Sequence, residues 1–162
     1  MKKLLLGIAL LAALTACPTT TGGTGSANLT FTNAAGGYNG STATLSSSST
    51  TLAGVIMIAD TGTGANLRSL SAFLPRESRE AGTTYVIKDI NGVGVLYQEG
   101  NSKDGKLWAV TGGSIRVAVK SGKTLTFELI NVTLGKKMGD TTPSAGTVTV
   151  NGTMTGESIT PL

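Results

Sequence analysis

The chain has 162 residues, including 23 glycines, one cysteine and no histidine; charged residues make up 14% and the net charge is +4. A chain of this length suggests one domain, and without histidine it cannot hold a Ser-His-Asp site or a histidine-ligated zinc ion. One cysteine excludes an internal disulfide and a thiolate cluster, so the sequence predicts neither a metal site nor a cofactor.

The first residues have the pattern of a secretory signal peptide. Lys2 and Lys3 form a short positive start, and residues 4–14 follow as an apolar run of eleven residues. This run is too short to span a bilayer, which needs about 20 residues. It fits the apolar region of a signal peptide, which is ~7–15 residues long. Residues 1–16 are therefore predicted to be a leader that is removed.

The sequence Leu14-Thr15-Ala16-Cys17 resembles the lipobox of bacterial lipoproteins. The resemblance implies cleavage between Ala16 and Cys17, a diacylglyceryl group on the Cys17 thiol and usually acylation of the new amino terminus. Two or three acyl chains anchor a protein stably, because each buried CH₂ contributes ~0.8 kcal/mol. Pro18 stands where an aspartate would resemble an inner-membrane retention signal, which favours the outer membrane in a diderm organism. The alternative is an ordinary secretory signal with a chance cysteine.

Composition then divides the rest of the chain. Residues 17–27 comprise the lipidated cysteine and a Gly/Thr-rich stretch that is typical of a flexible tether. Residues 28–162 are predicted to be a single domain. Loss of Lys2 and Lys3 with the leader lowers the net charge from +4 to +2. The remaining basic residues are scattered, so we expect no nucleic-acid partner.

Alternation of apolar and polar residues predicts half-buried antiparallel strands. The predicted inward-facing sets are Ile115, Val117 and Val119; Leu125, Phe127 and Leu129; and Val148, Val150 and Met154. The first half of this domain is less clear: residues 67–74 fit a strand or a helix, and we favour the strand. The predicted strands are 29–32, 52–59, 67–74, 84–90, 93–99, 106–111, 114–120, 123–134 and 146–155.

Turn residues separate these strands. Asn91-Gly92 between two apolar runs is a strong hairpin signal, because a type I′ turn needs positive φ at both positions. Asp104-Gly105, Gly112-Gly113 and Ser121-Gly122 are interpreted as further turns, which makes the second half a meander. Residues 135–145 are predicted to form a longer loop.

The sequence therefore predicts an all-β fold, an antiparallel β-sandwich or small barrel of about eight or nine short, meander-rich strands. The chain has no Cys…Trp…Cys pattern of an immunoglobulin domain. The order of several short motifs resembles that of uncharacterised all-β bacterial lipoproteins over about half the chain, and the resemblance implies no activity. These motifs are Leu74-Pro75, Gly82-Thr83-Thr84-Tyr85, Tyr97, Trp108, Gly113-Ser114-Ile115 and Gly146-Thr147-Val148.

Candidate chemistry is sparse. The carboxylates fall mostly in predicted turns or on polar strand faces and form no catalytic motif, so we expect no enzyme; a histidine-free hydrolase would need two converging acids. Tyr85, Tyr97 and Trp108 are candidates for ligand binding, because exposed aromatic rings can stack on sugars. Core packing is the favoured alternative for the same three rings.

The function expected from these observations is that of a lipid-anchored bacterial cell-envelope lipoprotein. Its β domain would have a non-catalytic structural or binding role. The alternative is a ligand carrier or a glycan- or lipid-binding module on the envelope. The predicted partners are the membrane, through the anchor on Cys17, and an envelope protein or a glycan.

Overall fold

The computed structural model describes residues 25–32, 44–50, 54–62, 64–75, 80–87, 93–100, 106–137 and 147–157. Nine strands and one short 3-10 helix, Gly64–Asn66, make up its secondary structure. The strands are β1 Gly25–Thr32, β2 Thr44–Thr50, β3 Gly54–Thr61, β4 Arg68–Pro75, β5 Thr84–Val86, β6 Gly94–Glu99, β7 Lys106–Ser121, β8 Thr124–Lys137 and β9 Val148–Glu157.

All nine strands belong to one antiparallel sheet. The strand order is β1-β9-β8-β7-β6-β4-β3-β2, and β5 pairs with β7 beside this path. The two ends of the path, β1 and β2, also lie close to each other, so the sheet is nearly closed and barrel-like. This confirms the predicted all-β class. A nearly closed sheet leaves few unpaired strand edges.

The core lies inside this curved sheet and is built from alternate residues of its strands. Leu125, Phe127 and Leu129 on β8 point inward, as predicted, with 0–1% of their surface exposed. Val150 and Met154 on β9 are fully buried in the same way. The other side chains with 0–1% exposure are Leu29, Phe31, Met57, Ala59, Leu70, Ala72, Leu74, Val95, Tyr97, Ile115, Val117, Val132 and Leu134.

The prediction of a turn at Gly112-Gly113 was wrong, because β7 continues through both glycines. On one side β7 pairs with β8, with register shifts on either side of Gly112. On its other side it pairs first with β6 and then with β5. Gly113 has φ 103°, and a Cβ there would lie 2.5 Å from the Asn131 carbonyl oxygen. The glycine therefore permits a bend and a close approach to β8 rather than a chain reversal.

The predicted meander was also wrong at its first step. β5 is only three residues long and pairs with β7, where Tyr85 lies opposite Ile115. β6 pairs instead with β4 and β7. The predicted Asn91-Gly92 and Asp104-Gly105 turns lie outside the described residues. The turn at Ser121-Gly122 is confirmed, since β7 and β8 form a hairpin in which Ser121 pairs with Thr124.

One uncertain element was predicted correctly, and three others differ from the prediction. Residues 67–74 were placed correctly in a strand, β4. Strand β2 was missed, because its sequence Thr-Leu-Ser-Ser-Ser-Ser-Thr has no apolar alternation. β8 extends to Lys137, into the predicted loop 135–145. β1 begins at Gly25, inside the predicted tether 17–27, because Gly25 already pairs with Gly156 of β9.

Val119 was predicted to point inward and is instead 46% exposed. The cause is a bulge between Val117 and Val119. Here β7 advances by two residues while its partner β8 advances by only one. A bulge of this kind breaks the two-residue alternation of side chains. Val119 therefore pairs with outward-facing Thr126, whereas Val117 pairs with buried Phe127.

Candidate functional site

The lipidation and cleavage residues predicted from the sequence, Cys17 and Ala16, lie outside the described residues. The first described residue after them is Gly25, eight positions after Cys17 in the chain. The predicted anchor is therefore close in the sequence to the first strand of the barrel. The other three candidate residues, Tyr85, Tyr97 and Trp108, all lie on described strands.

Tyr97 and Trp108 are brought together, directly opposite each other on β6 and β7. Their ring centroids are 5.2 Å apart with planes tilted by 37°, and Phe31 of β1 lies 5.3 Å from Tyr97. Such tilted contacts are typical of packed aromatic cores. The exposed fractions are 1% for Tyr97, 3% for Trp108 and 0% for Phe31. These three rings, here called the aromatic cluster, therefore present almost no surface to a ligand in solution.

Tyr85 lies elsewhere on the barrel wall. It is half-buried on β5 opposite Ile115, seven residues along β7 from Trp108. Its hydroxyl oxygen accepts a hydrogen bond from the backbone N–H of Glu80 at 3.3 Å. Part of its ring packs against the core. The structure thus assigns the three candidate rings to two places, and only two of them share one environment.

Glu99 joins the aromatic cluster to one end of the barrel. The Tyr97 hydroxyl donates a hydrogen bond to Glu99 Oε1 at 3.0 Å. Arg68 Nε lies 3.8 Å from the same carboxylate oxygen, and its side chain is 21% exposed against 13% for Glu99. We call these three residues the Glu99 cluster. The sequence reasoning missed it, although an acid two residues after a tyrosine in a strand lies on the same face as that tyrosine.

Backbone contacts fix the strand ends around the Glu99 cluster. The Gly100 N–H donates to the Leu67 carbonyl at 2.8 Å, which joins the end of β6 to the start of β4. The Gln98 amide Nε2 donates to the Gly100 carbonyl at 3.2 Å. The Glu99 carboxylate thus has a hydrogen-bond donor and a cationic side chain beside it where the core ends.

Glu99 does not form a pair of converging acids with Asp60, which lies two strands away on β3. Glu99 pairs with Arg68, which in turn pairs with Thr61, and these three positions share one face of the sheet. Asp60 pairs with Ser69 and therefore lies on the opposite face. Two acids on opposite faces cannot act together across a glycosidic bond.

A second ion pair lies on the outer wall. Arg116 of β7 and Glu128 of β8 are opposite each other, with Nε 2.6 Å from Oε2. Their side chains are 46% and 34% exposed, so water screens the attraction. Around this pair the outer wall is rich in threonine, and Thr126 and Thr155 share a hydrogen bond of 2.9 Å. This surface can offer hydroxyl groups and one ion pair to a partner.

Among the residues that the structure describes, no three His, Cys, Asp or Glu side chains lie close enough together to hold a metal ion. No helix in the same part of the chain is long and apolar enough to cross a membrane. Comparisons of the chain with protein families, with curated proteins and with solved structures found no match.

Proposed function

We propose that this protein is a lipid-anchored lipoprotein of the bacterial cell envelope whose β domain has a non-catalytic structural or binding role. The observation that carries the proposal is the sequence Leu14-Thr15-Ala16-Cys17 directly after a positive start and an apolar run of eleven residues. Cys17 is the only cysteine of the chain, and it stands at the position that lipidation requires.

The start of the barrel supports this proposal. β1 begins at Gly25 and pairs with β9 over its whole length, from Gly25 opposite Gly156 to Thr32 opposite Thr149. Seven residues, 18–24, separate Cys17 from this strand. A folded domain that begins this soon after the predicted cleavage site is what a lipoprotein with a short spacer requires. Attached to the outer membrane of a diderm organism, the barrel would lie next to the lipid headgroups.

The packed interior supports a structural or binding role over that of an internal ligand carrier. Side chains on β1, β3, β4, β6, β7, β8 and β9 converge on the core with 0–1% of their surface exposed. A carrier needs a pocket of ~300–1,000 Å³ lined by side chains that a ligand can reach. We therefore assign binding of an envelope protein or a glycan to the outer wall, where Thr, Asn and Ser side chains are exposed.

Replacement of Cys17 tests the proposal. In a bacterial host that processes lipoproteins, the wild-type chain should fractionate with membranes and incorporate a clickable fatty acid. Mass spectrometry should find an amino-terminal peptide that begins at Cys17 and carries a diacylglyceryl group. The Cys17→Ser variant should lose the label and leave the membrane fraction.

A matched control keeps a cysteine in the chain but outside the lipobox. The double variant Cys17→Ser, Thr19→Cys should behave like Cys17→Ser, because the lipidating enzyme reads the position and not the mere presence of a thiol. Fatty-acid label on the double variant, or unchanged membrane retention of unlabelled Cys17→Ser, would contradict the proposal.

A further inference from the structure

The hairpin between β7 and β8 lies at the same end of the barrel as the start of β1. Gly25 pairs with Gly156 of β9, and Gly156 pairs with Leu125 of β8. Leu125 lies one residue after Thr124, which closes the hairpin opposite Ser121. We call this the hairpin end. The Glu99 cluster lies at the other end, together with Thr32, the last residue of β1.

We propose that the hairpin end faces the membrane and that residues 119–123 lie against the lipid headgroups. This inference rests on the proposed lipidation of Cys17, which fixes the point from which the chain leaves the bilayer. The class of partner is a phospholipid surface. Two observations support it: the length of the spacer and the side chains at the hairpin end.

The spacer is short compared with the barrel. A flexible spacer of seven residues would span on average about 13–16 Å. β1 has eight residues and so extends about 23 Å from Gly25 to Thr32. To bring the Thr32 end to the headgroups, the spacer would have to hold Gly25 nearly a full strand length above them. Because seven residues reach at most about 23–25 Å, that arrangement needs an almost straight chain. The hairpin end is therefore the end that the anchor keeps at the membrane.

The hairpin end carries an exposed apolar side chain that is followed in the chain by two lysines. Val119 is 46% exposed on the wall of β7. Lys120 is half-buried and pairs with inward-facing Leu125, so these two residues lie on the same face of the sheet. Lys123 is exposed in the turn. A lysine stem can lie on apolar surface while its ammonium group reaches the headgroup layer.

Two nearby acids weaken the electrostatic attraction between these lysines and anionic lipid headgroups. Glu157 lies opposite Thr124, one strand beyond the hairpin, and Glu80 precedes the turn in which Gly82 bonds to the Val117 carbonyl. Both glutamates are exposed. The end therefore has mixed charge, and we expect it to touch the headgroups because the anchor holds it there, with little affinity of its own for lipid.

Fluorescent labelling of single cysteines tests the orientation. The lipid occupies the thiol of Cys17, so an introduced cysteine is the only free thiol of the lipidated chain. Ser121→Cys places a probe at the hairpin end and Thr32→Cys places it at the other end; both positions are exposed hydroxyl residues. The lipidated full chain is reconstituted in phosphatidylcholine–phosphatidylglycerol vesicles that contain a headgroup quencher.

We expect several-fold stronger quenching at residue 121 than at residue 32. Equal quenching, or stronger quenching at residue 32, would overturn the inference. If Ser121→Cys loses its native circular dichroism spectrum, Lys123→Cys takes its place. A second copy of residues 18–24 inserted in the spacer should narrow the difference between the two probes; an unchanged difference would refute the spacer as its cause.

Mass spectrometry of the same samples separates this inference from the proposed function. A diacylglyceryl group on Cys17 together with equal quenching refutes only the orientation. An unmodified Cys17 refutes the proposed function itself, and the orientation with it.

Discussion

A single methyl group added at Gly152 should destabilise the fold strongly. Its φ of 134° lies in a region that is almost restricted to glycine, and strain of this kind costs about 1–3 kcal/mol. A Cβ at Gly152 would also collide with the backbone oxygen of Asn28 and lie 2.9 Å from Leu29 Cα, both on the neighbouring strand β1. Forcing two backbones apart adds about 1–3 kcal/mol. Gly152→Ala should therefore lower the free energy of unfolding by about 2–6 kcal/mol.

Gly122 provides the matched control. It also has a positive φ, 58°, but a Cβ there meets nothing within 4 Å. Gly122→Ala should cost only the left-handed backbone penalty of about 1–2 kcal/mol. Urea titration followed by circular dichroism measures both variants. With a slope of about 1–3 kcal/mol per molar urea, a difference of about 1 kcal/mol separates the midpoints by roughly 0.3–1 M.

The order of the two urea midpoints tests the close contact between β1 and β9 at Gly152. Gly152→Ala must unfold at lower urea than Gly122→Ala. Equal midpoints would show that β1 and β9 do not approach each other closely at Gly152, and would refute the backbone contact as the reason for glycine there.

Three further changes test the core and its polar contacts. Phe127→Ala, at a fully buried position, should cost about 3–5 kcal/mol in the same titration, because it leaves a cavity in the packed interior; a loss below about 1 kcal/mol would contradict the packing. Tyr97→Phe removes the hydroxyl that donates to Glu99 and should cost about 1–3 kcal/mol, with the ring contacts kept, as the near-UV spectrum can check. Arg116→Ala should cost about 1 kcal/mol or less, because its ion pair with Glu128 is exposed; a large loss of stability would contradict the screening by water.

The sequence predicted the fold best where one face of a strand is buried and the other is wet. On β8 and β9 the two-residue alternation identified Leu125, Phe127, Leu129, Val150 and Met154 as inward-facing, and all five are buried. It failed at Val119, because a bulge shifts the phase of the alternation and leaves no local mark in the sequence. It missed β2 because the Ser and Thr residues of that strand carry no apolar signal.

Glycine-containing residue pairs that were predicted to be turns were the other source of error. Gly112-Gly113 and Ser121-Gly122 look equally like turns in the sequence, and only the second reverses the chain. What distinguishes them is the neighbouring strand: β8 passes close to Gly113, with the Asn131 carbonyl where a side chain would lie. Glycine is favoured both where two backbones approach closely and where the chain turns. The sequence alone therefore could not distinguish these two cases.

The same limit on sequence-based prediction applies to the candidate functional residues. Enzymes recognise a lipobox as a linear stretch of chain, so the proposal that Leu14-Thr15-Ala16-Cys17 is one needs no knowledge of the fold. Tyr97 and Trp108 can be interpreted only once β6 and β7 are paired, and both rings then lie in the packed core rather than on a binding face. If the barrel binds a partner, the residues that do so must be sought on its outer wall, whose neighbours are set by strand register. The register of β1, β9 and β8 places Ser26, Thr155 and Thr126 in one row across three strands, although they are far apart in the sequence. A binding surface of this kind is created by the barrel, and substitutions that shift the register should abolish it without changing any of its own residues.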